Sequence, residues 1–228
     1  CCAMTAGSAS MLLCDEEMAY KLTDKPVEVF ITGGSHTLRV ADRRPMDIPL
    51  LPNEKPGMYD DFLKKNPRWP GFESFLAARF SAYLTYRMAG IKEPVDELDL
   101  VELHDAFTIS DVQTYGDIGL RPYGQEVDYV LSGDAYYGGK CPANLSGGLL
   151  GTMHAVGATG IWQAAEVFWQ LQDCYDYFHG DPKWWKRAGK KKPKDWKSLQ
   201  VQDAKQGLWV SHAGVGSHVT VGILRKAW

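Results

Sequence analysis

Apolar and polar positions along this chain follow two rhythms, and the order in which the rhythms alternate is that of an α/β protein. Asp15 to Leu22 reads as a short helix, and Pro26 to Thr32 (PVEVFIT) alternates as a strand ending at a Gly33-Gly34 turn. A proline-rich stretch from Arg43 to Pro70 excludes any long regular element. A loop of that length inside a compact domain commonly carries function or covers a partner. Phe72, Phe75, Leu76, Phe80, Tyr83 and Leu84 then recur at helical spacing, with Gly90 as the C-cap signal and Pro94 as a stop. Leu98 to Leu103 (LDLVEL) reads as a short strand delivering His104 and Asp105 to its C-terminal end, before a helix from Ala106 to Ile118. Such strand ends are where α/β sheets bind ligands. Asp105 is a candidate cap for that helix, either alone or while also orienting His104. Ile161, Ala164, Ala165, Phe168 and Leu171 mark a later helix, and Trp162 and Trp169 widen its apolar face until burial on most sides is expected. Gly207 to His212 and His218 to Leu224 are the last two strands, turning at Ala213 to Gly216, with the second expected to be buried and central in its sheet.

The most informative stretch is Asn144 to Gly160, NLSGGLLGTMHAVGATG. Gly147, Gly148 and Gly151 let the backbone bend and approach a ligand closely, while Gly157 and Gly160 let the next helix start tight against whatever lies in front of it. His154 sits in that bend, aimed at a helix N-terminus whose N–H groups favour an anion or an oxyanion. A lone loop histidine more often bonds a carbonyl; the surrounding glycines and two further histidine motifs, around His104 and His212, turn the reading towards a site.

Composition narrows the class. The 228 residues, 45% of them apolar, can bury a sizeable core, and a formal charge of −3 gives no reason to expect nucleic acid. Apolar runs are far short of a membrane span. Five cysteines without CxxC spacing argue for a reducing, cytoplasmic setting rather than a disulfide framework or a zinc site, and the vicinal Cys1-Cys2 pair reads as small-residue packing. From Tyr175 to Lys205, Trp184, Trp185 and Trp196 stand among eight or more basic residues. That stretch suits the phosphates of an anionic ligand, a companion subunit or a membrane surface, and equally a solvated loop with its tryptophans tucked in.

Three blocks together resemble the thiolase superfamily, in particular its sterol-carrier-type and archaeal branch: Asn144 to Gly160, VELHDAFTISD (Val101 to Asp111) and GLWVSHAGVGSHVTVGIL (Gly207 to Leu224). Their order and spacing also match, and CCAMTAGSASMLLCDEE resembles the segment that opens the second half of a thiolase. The resemblance implies a layered α-β-α-β-α architecture, of which this chain supplies the carboxyl-terminal half: a mixed five-stranded sheet with buried helices, plus part of the loop region. Residues 1–34 would lead from the amino-terminal half, 35–94 would hold the proline-rich loop and a helix, and 95–228 would form the domain core with the Lys/Trp-rich insertion at 175–205.

By the same resemblance His154 is the base that activates a cysteine nucleophile, His104 holds a thioester oxygen, His212 stands where most of the family has a second cysteine, and Gly214 lends a backbone N–H to an oxyanion hole. Asn144, Ser146, Gly147 and Gly148 are expected to contact substrate or coenzyme A, which is a substrate and not a covalently bound cofactor; no metal is required. The nucleophile itself has no counterpart here, so the chain reads as a fragment, a processed piece or one part of a split enzyme. Two departures stand out: the family's Gly-His-Pro is Met153-His154-Ala155, and the sterol-carrier His-Asp-Cys-Phe is His104-Asp105-Ala106-Phe107. The implied function is C–C bond cleavage or formation β to a coenzyme A thioester by an acyltransferase. A thiolase-like aldolase and a non-catalytic thioester-binding subunit are the alternatives. Implied partners are the amino-terminal half, further copies of the chain and a small zinc-ribbon and oligonucleotide-fold companion protein.

Overall fold

The computed structural model describes residues 2–35, 49–69, 74–187, 189–214 and 216–228. Four strands, β1 (Val27–Ser35), β2 (Leu100–Glu102), β3 (Gln206–Ala213) and β4 (His218–Lys226), form one mixed sheet in the order β1-β4-β3-β2. β4 lies between β1 and β3 and is antiparallel to both, from Val27↔Lys226 on one side and Gln206↔Arg225 on the other, as its apolar pattern on both faces requires. β2 runs parallel to β3, pairing Leu100 with Gly207 and Glu102 with Trp209, so both strands deliver their C-terminal ends to the same edge of the sheet.

Ten helices occur among the described residues: α1 (Glu16–Leu22), α2 (Asp60–Lys65), α3 (Leu76–Ala89), α4 (Pro94–Glu97), α5 (Thr108–Asp117), α6 (Glu126–Leu131), α7 (Gly148–Gly151), α8 (Val156–Leu171), α9 (Tyr175–His179) and α10 (Pro182–Arg187). α3 packs on β1 and β4, and α8 packs on the other face against β2, β3 and β4. Period-2 alternation divides the strands between these layers. Leu208, Val210, Val219, Val221 and Ile223 join Ala78, Ala82 and Tyr86 of α3 in one core, whereas Leu100, Trp209 and Leu224 join Ala164, Val167 and Leu171 of α8 in the other. Gly222 faces Trp209 across the ladder, and a Cβ there would run into the indole. α3 ends where Gly90 takes a left-handed conformation (φ 73°), and α1 begins where Asp15 Oδ1 accepts the Met18 N–H at 2.8 Å.

The described residues contain four strands where five were expected. Residues 142–144 occupy part of the missing strand's place: Val101 N–H donates to Pro142 O and Asn144 N–H to Val101 O, but the pairing stops at a single bridge because Asn144 turns to a positive φ of 51°. Gly33 and Gly34 do not turn; they continue β1 opposite Thr220 and Val219. Of the proline-rich stretch, residues 43–48 and Pro70 lie outside the described residues, as does Phe72; the remainder contains α2. Pro94 does not only stop a helix but opens α4 at its first turn.

α8 departs most from expectation. It starts at Val156, so Gly157 and Gly160 lie inside it, and it is not buried on most sides: Val156, Ile161 and Phe168 are exposed while Thr159, Gln163, Glu166 and Gln170 are buried. Three of these inward side chains, Gln163, Glu166 and Gln170, are held by bonds to the sheet and the following loops, whereas Thr159 Oγ1 has no partner. Gln163 Nε2 donates to Val210 O at 3.0 Å, Gln170 Nε2 to Leu199 O at 3.0 Å, and Glu166 pairs with His179 at 2.8 Å.

Candidate active site

β2 and β3 run parallel, and each has a histidine at or just past its C-terminal end. His104 follows β2, His212 lies near the end of β3, and their rings stack with centroids 5.2 Å apart and planes 16° from parallel. His154, two residues ahead of α8, meets His104 edge-on at 5.3 Å, and Phe75 meets the far face of His212 at 4.6 Å. The three histidines singled out in the sequence, separated by up to 108 positions, therefore form one row (212 − 104 = 108). α8 can approach β3 this closely because position 160 is glycine; a Cβ there would come within 2.5 Å of Ser211 Oγ.

Burial decides the charge of the row. Desolvation, helped by the neighbouring His154, pulls His104 down to about 4, and desolvation with the neighbouring His104 pulls His212 down to about 3. Both are neutral imidazoles at physiological pH, each with one N–H to give and one lone pair to accept. His104 Nδ1 and His212 Nε2 are buried without a hydrogen-bond partner, an arrangement that leaves donors or acceptors for a reacting molecule. Among the described residues no group of three or more His, Cys, Asp or Glu side chains is arranged to hold a metal ion.

The loop from Asn144 to Leu149 fixes the end of β2. Asn144 Oδ1 accepts the Leu103 N–H at 2.6 Å and its Nδ2 donates to Asp111 Oδ1 at 3.1 Å. Ser146 donates to Glu102 from both its N–H (3.1 Å) and its Oγ (2.7 Å), and Gly148 N–H donates back to Ser146 Oγ. Asp105 does not cap α5, whose N-cap Phe107 has no side-chain bond; its Oδ1 accepts the Leu149 N–H at 2.6 Å instead. Gly147 and Gly148 adopt positive φ (95° and 62°), and any side chain at 148 would strike the Asp105 carboxylate. The polar side chains of Asn144 and Ser146 thus face inward onto β2 and its neighbours. Gly214 takes φ 61° in the β3–β4 turn.

Two groups that sequence reasoning passed over belong to the site. Cys2, read as packing, is only half-buried and places Sγ 3.0 Å from His154 Nδ1. Glu102, one acid in the otherwise apolar LVEL run, is fully buried two residues ahead of His104, and desolvation together with the charge of Glu166 raises it to about 8. A carboxylate between apolar strand residues was the available signal. Among the aromatic side chains, Trp209 is core, Tyr136 and Tyr137 are exposed, and Trp162 is half-buried. In the Lys/Trp stretch Trp185 donates to His179 O and Trp196 lies 3.9 Å beneath Lys192 Nζ, while Trp184 is exposed.

Residues 68–177 match the family described as thiolase C-terminal domain-like. The chain carries a thiolase C-terminal domain-like region. It is 33% identical to sterol carrier protein 2 of Gallus gallus over 75% of this chain and 27% of that protein, and 31% identical to the benzoylsuccinyl-CoA thiolase subunit BbsB of Thauera aromatica over 78% and 39%. Against the acetyl-CoA acetyltransferase of Methanothermobacter thermautotrophicus it is 30% identical over 99% of this chain and 46% of that protein. This chain therefore spans between about a quarter and a half of the curated relatives it matches. In three dimensions it is similar to the Ltp2-ChsH2(DUF35) aldolase, with a TM-score of 0.54, 19% identity and coverage of 70% of this chain and 34% of that one, a likeness of fold. The α/β architecture expected of a thiolase-type domain is present, and among the described residues no helix is long and apolar enough to cross a membrane.

Proposed function

We propose that this chain is the carboxyl-terminal part of a thiolase-type acyltransferase that breaks or forms a C–C bond β to a coenzyme A thioester. In this reading it acts with an amino-terminal half, in the same or a separate polypeptide, which supplies the cysteine nucleophile. The observation that carries the reading is the histidine row, with a half-exposed His154 meeting a buried, neutral His104 that stacks on His212. His154 takes the proton from the nucleophilic thiol, a task for a base within hydrogen-bond reach. His104, neutral because it is buried, presents an N–H to the thioester oxygen without adding a cation to the site. His212 is the candidate for the α-proton. Its burial makes it a weak base, so the transfer requires the enolate oxygen to be held at the same time by His104, while the Gly214 N–H serves the other oxyanion hole. Asn144, Ser146, Gly147 and Gly148 act on the substrate by shaping the floor beneath it: Asn144 and Ser146 brace β2, and Gly148 abuts the Asp105 carboxylate.

A second reading keeps the thioester and changes the reaction. Position 106 is alanine and position 212 is histidine, so neither place carries a thiol for acid–base work, which suits a retro-aldol cleavage without a covalent acyl intermediate. Iodoacetamide separates the two: loss of activity with protection by acyl-CoA supports the acyltransferase, and indifference supports the aldolase. For the main reading, His154→Asn in the assembled enzyme is expected to lower kcat by roughly two to four orders of magnitude. A loss of less than tenfold would remove His154 from the chemistry. Partners consistent with this reading are further copies of the chain and a small companion subunit, checked by the mass of the purified complex in solution.

A further inference from the structure

The His154 ring is fixed along one edge by a residue the proposed chemistry has not used. Cys2 Sγ lies 3.0 Å from His154 Nδ1, and the two residues are held in place by backbone bonds around them: Cys2 N–H donates to Ala106 O at 3.0 Å, Thr5 N–H donates to His154 O at 3.0 Å, and His154 N–H donates to Thr5 Oγ1 at 3.1 Å. Gly7 continues the contact, since a Cβ there would meet Met153 Cε and Ala155 Cβ. The opening segment is thus laced along both sides of the histidine, and its first described side chain meets the imidazole. The other titratable groups facing the ring are His104, whose Nδ1 is buried without a partner, and Asp105.

We propose that Cys2 is a positioning residue for His154: its sulfur accepts the Nδ1–H, which holds the imidazole in the tautomer and orientation that leave Nε2 bare to act as the base. The inference rests on the reading of His154 as the base. A neutral imidazole has a single ring proton, and whichever nitrogen carries it cannot take another without becoming a cation. If the thiol donated to Nδ1 instead, the ring proton would sit on Nε2 and His154 would enter the reaction as a hydrogen-bond donor. A partner on the non-reacting nitrogen is how proteins fix this choice, and loss of such a partner at metal-binding histidines costs about 10–100-fold. The Met153-His154-Ala155 triplet has alanine where the family's proline would stiffen this turn, so a side-chain restraint is the more needed here.

Two measurements on the full chain test this. In a two-bond ¹H–¹⁵N spectrum of the histidine side chains, with His154 assigned through His154→Asn, the wild type is expected to show the Nδ1–H tautomer, and Cys2→Ala a mixture or the Nε2–H form. In the assembled enzyme Cys2→Ala should lower kcat by about 10–100-fold with KM changed less than about twofold, and Cys2→Ser, which keeps an acceptor, should recover most of the loss. An Nε2–H tautomer in the wild type, or a Cys2→Ala protein with unchanged spectrum and unchanged kcat, overturns the inference. The two levels fail separately: an effect of His154→Asn below tenfold sinks the base itself, whereas a large His154→Asn effect with a silent Cys2→Ala sinks only the role of the thiol.

Discussion

Arg79 and His104 are both ionisable side chains buried in this domain, and their surroundings treat them in opposite ways. Around Arg79 each polar group is answered: its guanidinium pairs with the buried Glu54, donates to Pro49 O at 2.9 Å and to Gly116 O at 3.3 Å, and lies over the Tyr123 ring. Asp117 next to it accepts from Ser74 Oγ, from Tyr123 OH at 2.8 Å and from Phe75 N–H at 2.7 Å. For the two buried histidines nothing comparable exists among the described residues; His104 Nδ1 and His212 Nε2 are buried and unanswered. A buried charge with full partners is architecture, because removing any partner strands the rest. A buried nitrogen without one costs stability in the resting protein, and proteins keep such costs where a ligand completes the bonding. The two regions also touch: Asp117 fixes Phe75, and Phe75 packs on His212.

The sharpest way to break this comparison is to remove one member of each region. Arg79→Leu strands Glu54 in the interior and is expected to lower unfolding free energy by about 3–5 kcal/mol, read from urea denaturation. His104→Phe removes an imidazole that has an unanswered nitrogen and keeps its volume, so it should change stability by less than about 1.5 kcal/mol, or raise it, while abolishing turnover. Equal destabilisation by the two would show that His104 has structural partners after all.

A smaller effect sharpens the same contrast inside one loop. Gly148 has φ 62° and abuts the Asp105 carboxylate, whereas at Gly151, three residues on, φ is not positive and an added methyl would meet no atom within 4 Å. Gly148→Ala is expected to cost about 1–3 kcal/mol and to move Asp105 away from Leu149, reducing turnover through His104. Gly151→Ala should be neutral or slightly stabilising by thermal melting. The loop would be an ordinary connection if both glycines tolerated alanine alike.

Which of these features the sequence discloses follows from the range of the interactions involved. The strands carrying His104 and His212 and the central place of β4 rest on local alternation, and the end of α3 rests on Gly90, so all could be read from neighbouring residues. That His104 would meet both His154 and His212 depended on family resemblance joined to three separate motifs. Helical spacing does not say which stripe faces inward, and α8 buries Gln163, Glu166 and Gln170 while exposing Ile161 and Phe168 because carbonyls of the sheet and loops accept from the two glutamine amides and His179 pairs with Glu166. Asp105 reads as a cap because a helix begins close after it in sequence; its real partner is 44 positions away, at Leu149 (149 − 105 = 44). Cys2 could not be joined to His154 at all, since 152 positions separate them.

The last test asks whether Glu102 belongs with Arg79 or with the histidines. Desolvation raises it from an ordinary 4.5 to about 8, against the donors from Ser146, so the folded protein keeps it protonated where the unfolded chain does not. Its contribution to stability is therefore full below about pH 4.5 and is lost as pH rises through 8. His104 and His212 work in the opposite sense: depressed from 6.5 to about 4 and about 3, they lower stability as pH falls below 6.5 and are silent above it. Between about pH 6.5 and 8 Glu102 is thus free of their influence, and urea unfolding should show stability falling with pH by on the order of 1 kcal/mol per unit. Glu102→Gln, whose amide oxygen can still accept from Ser146 while carrying no titrating proton, should flatten that slope. A slope that survives the substitution would mean that Ser146 holds Glu102 as a carboxylate in the native protein, a satisfied anion of the same kind as Glu54 beside Arg79 and no part of the neutral, under-bonded site.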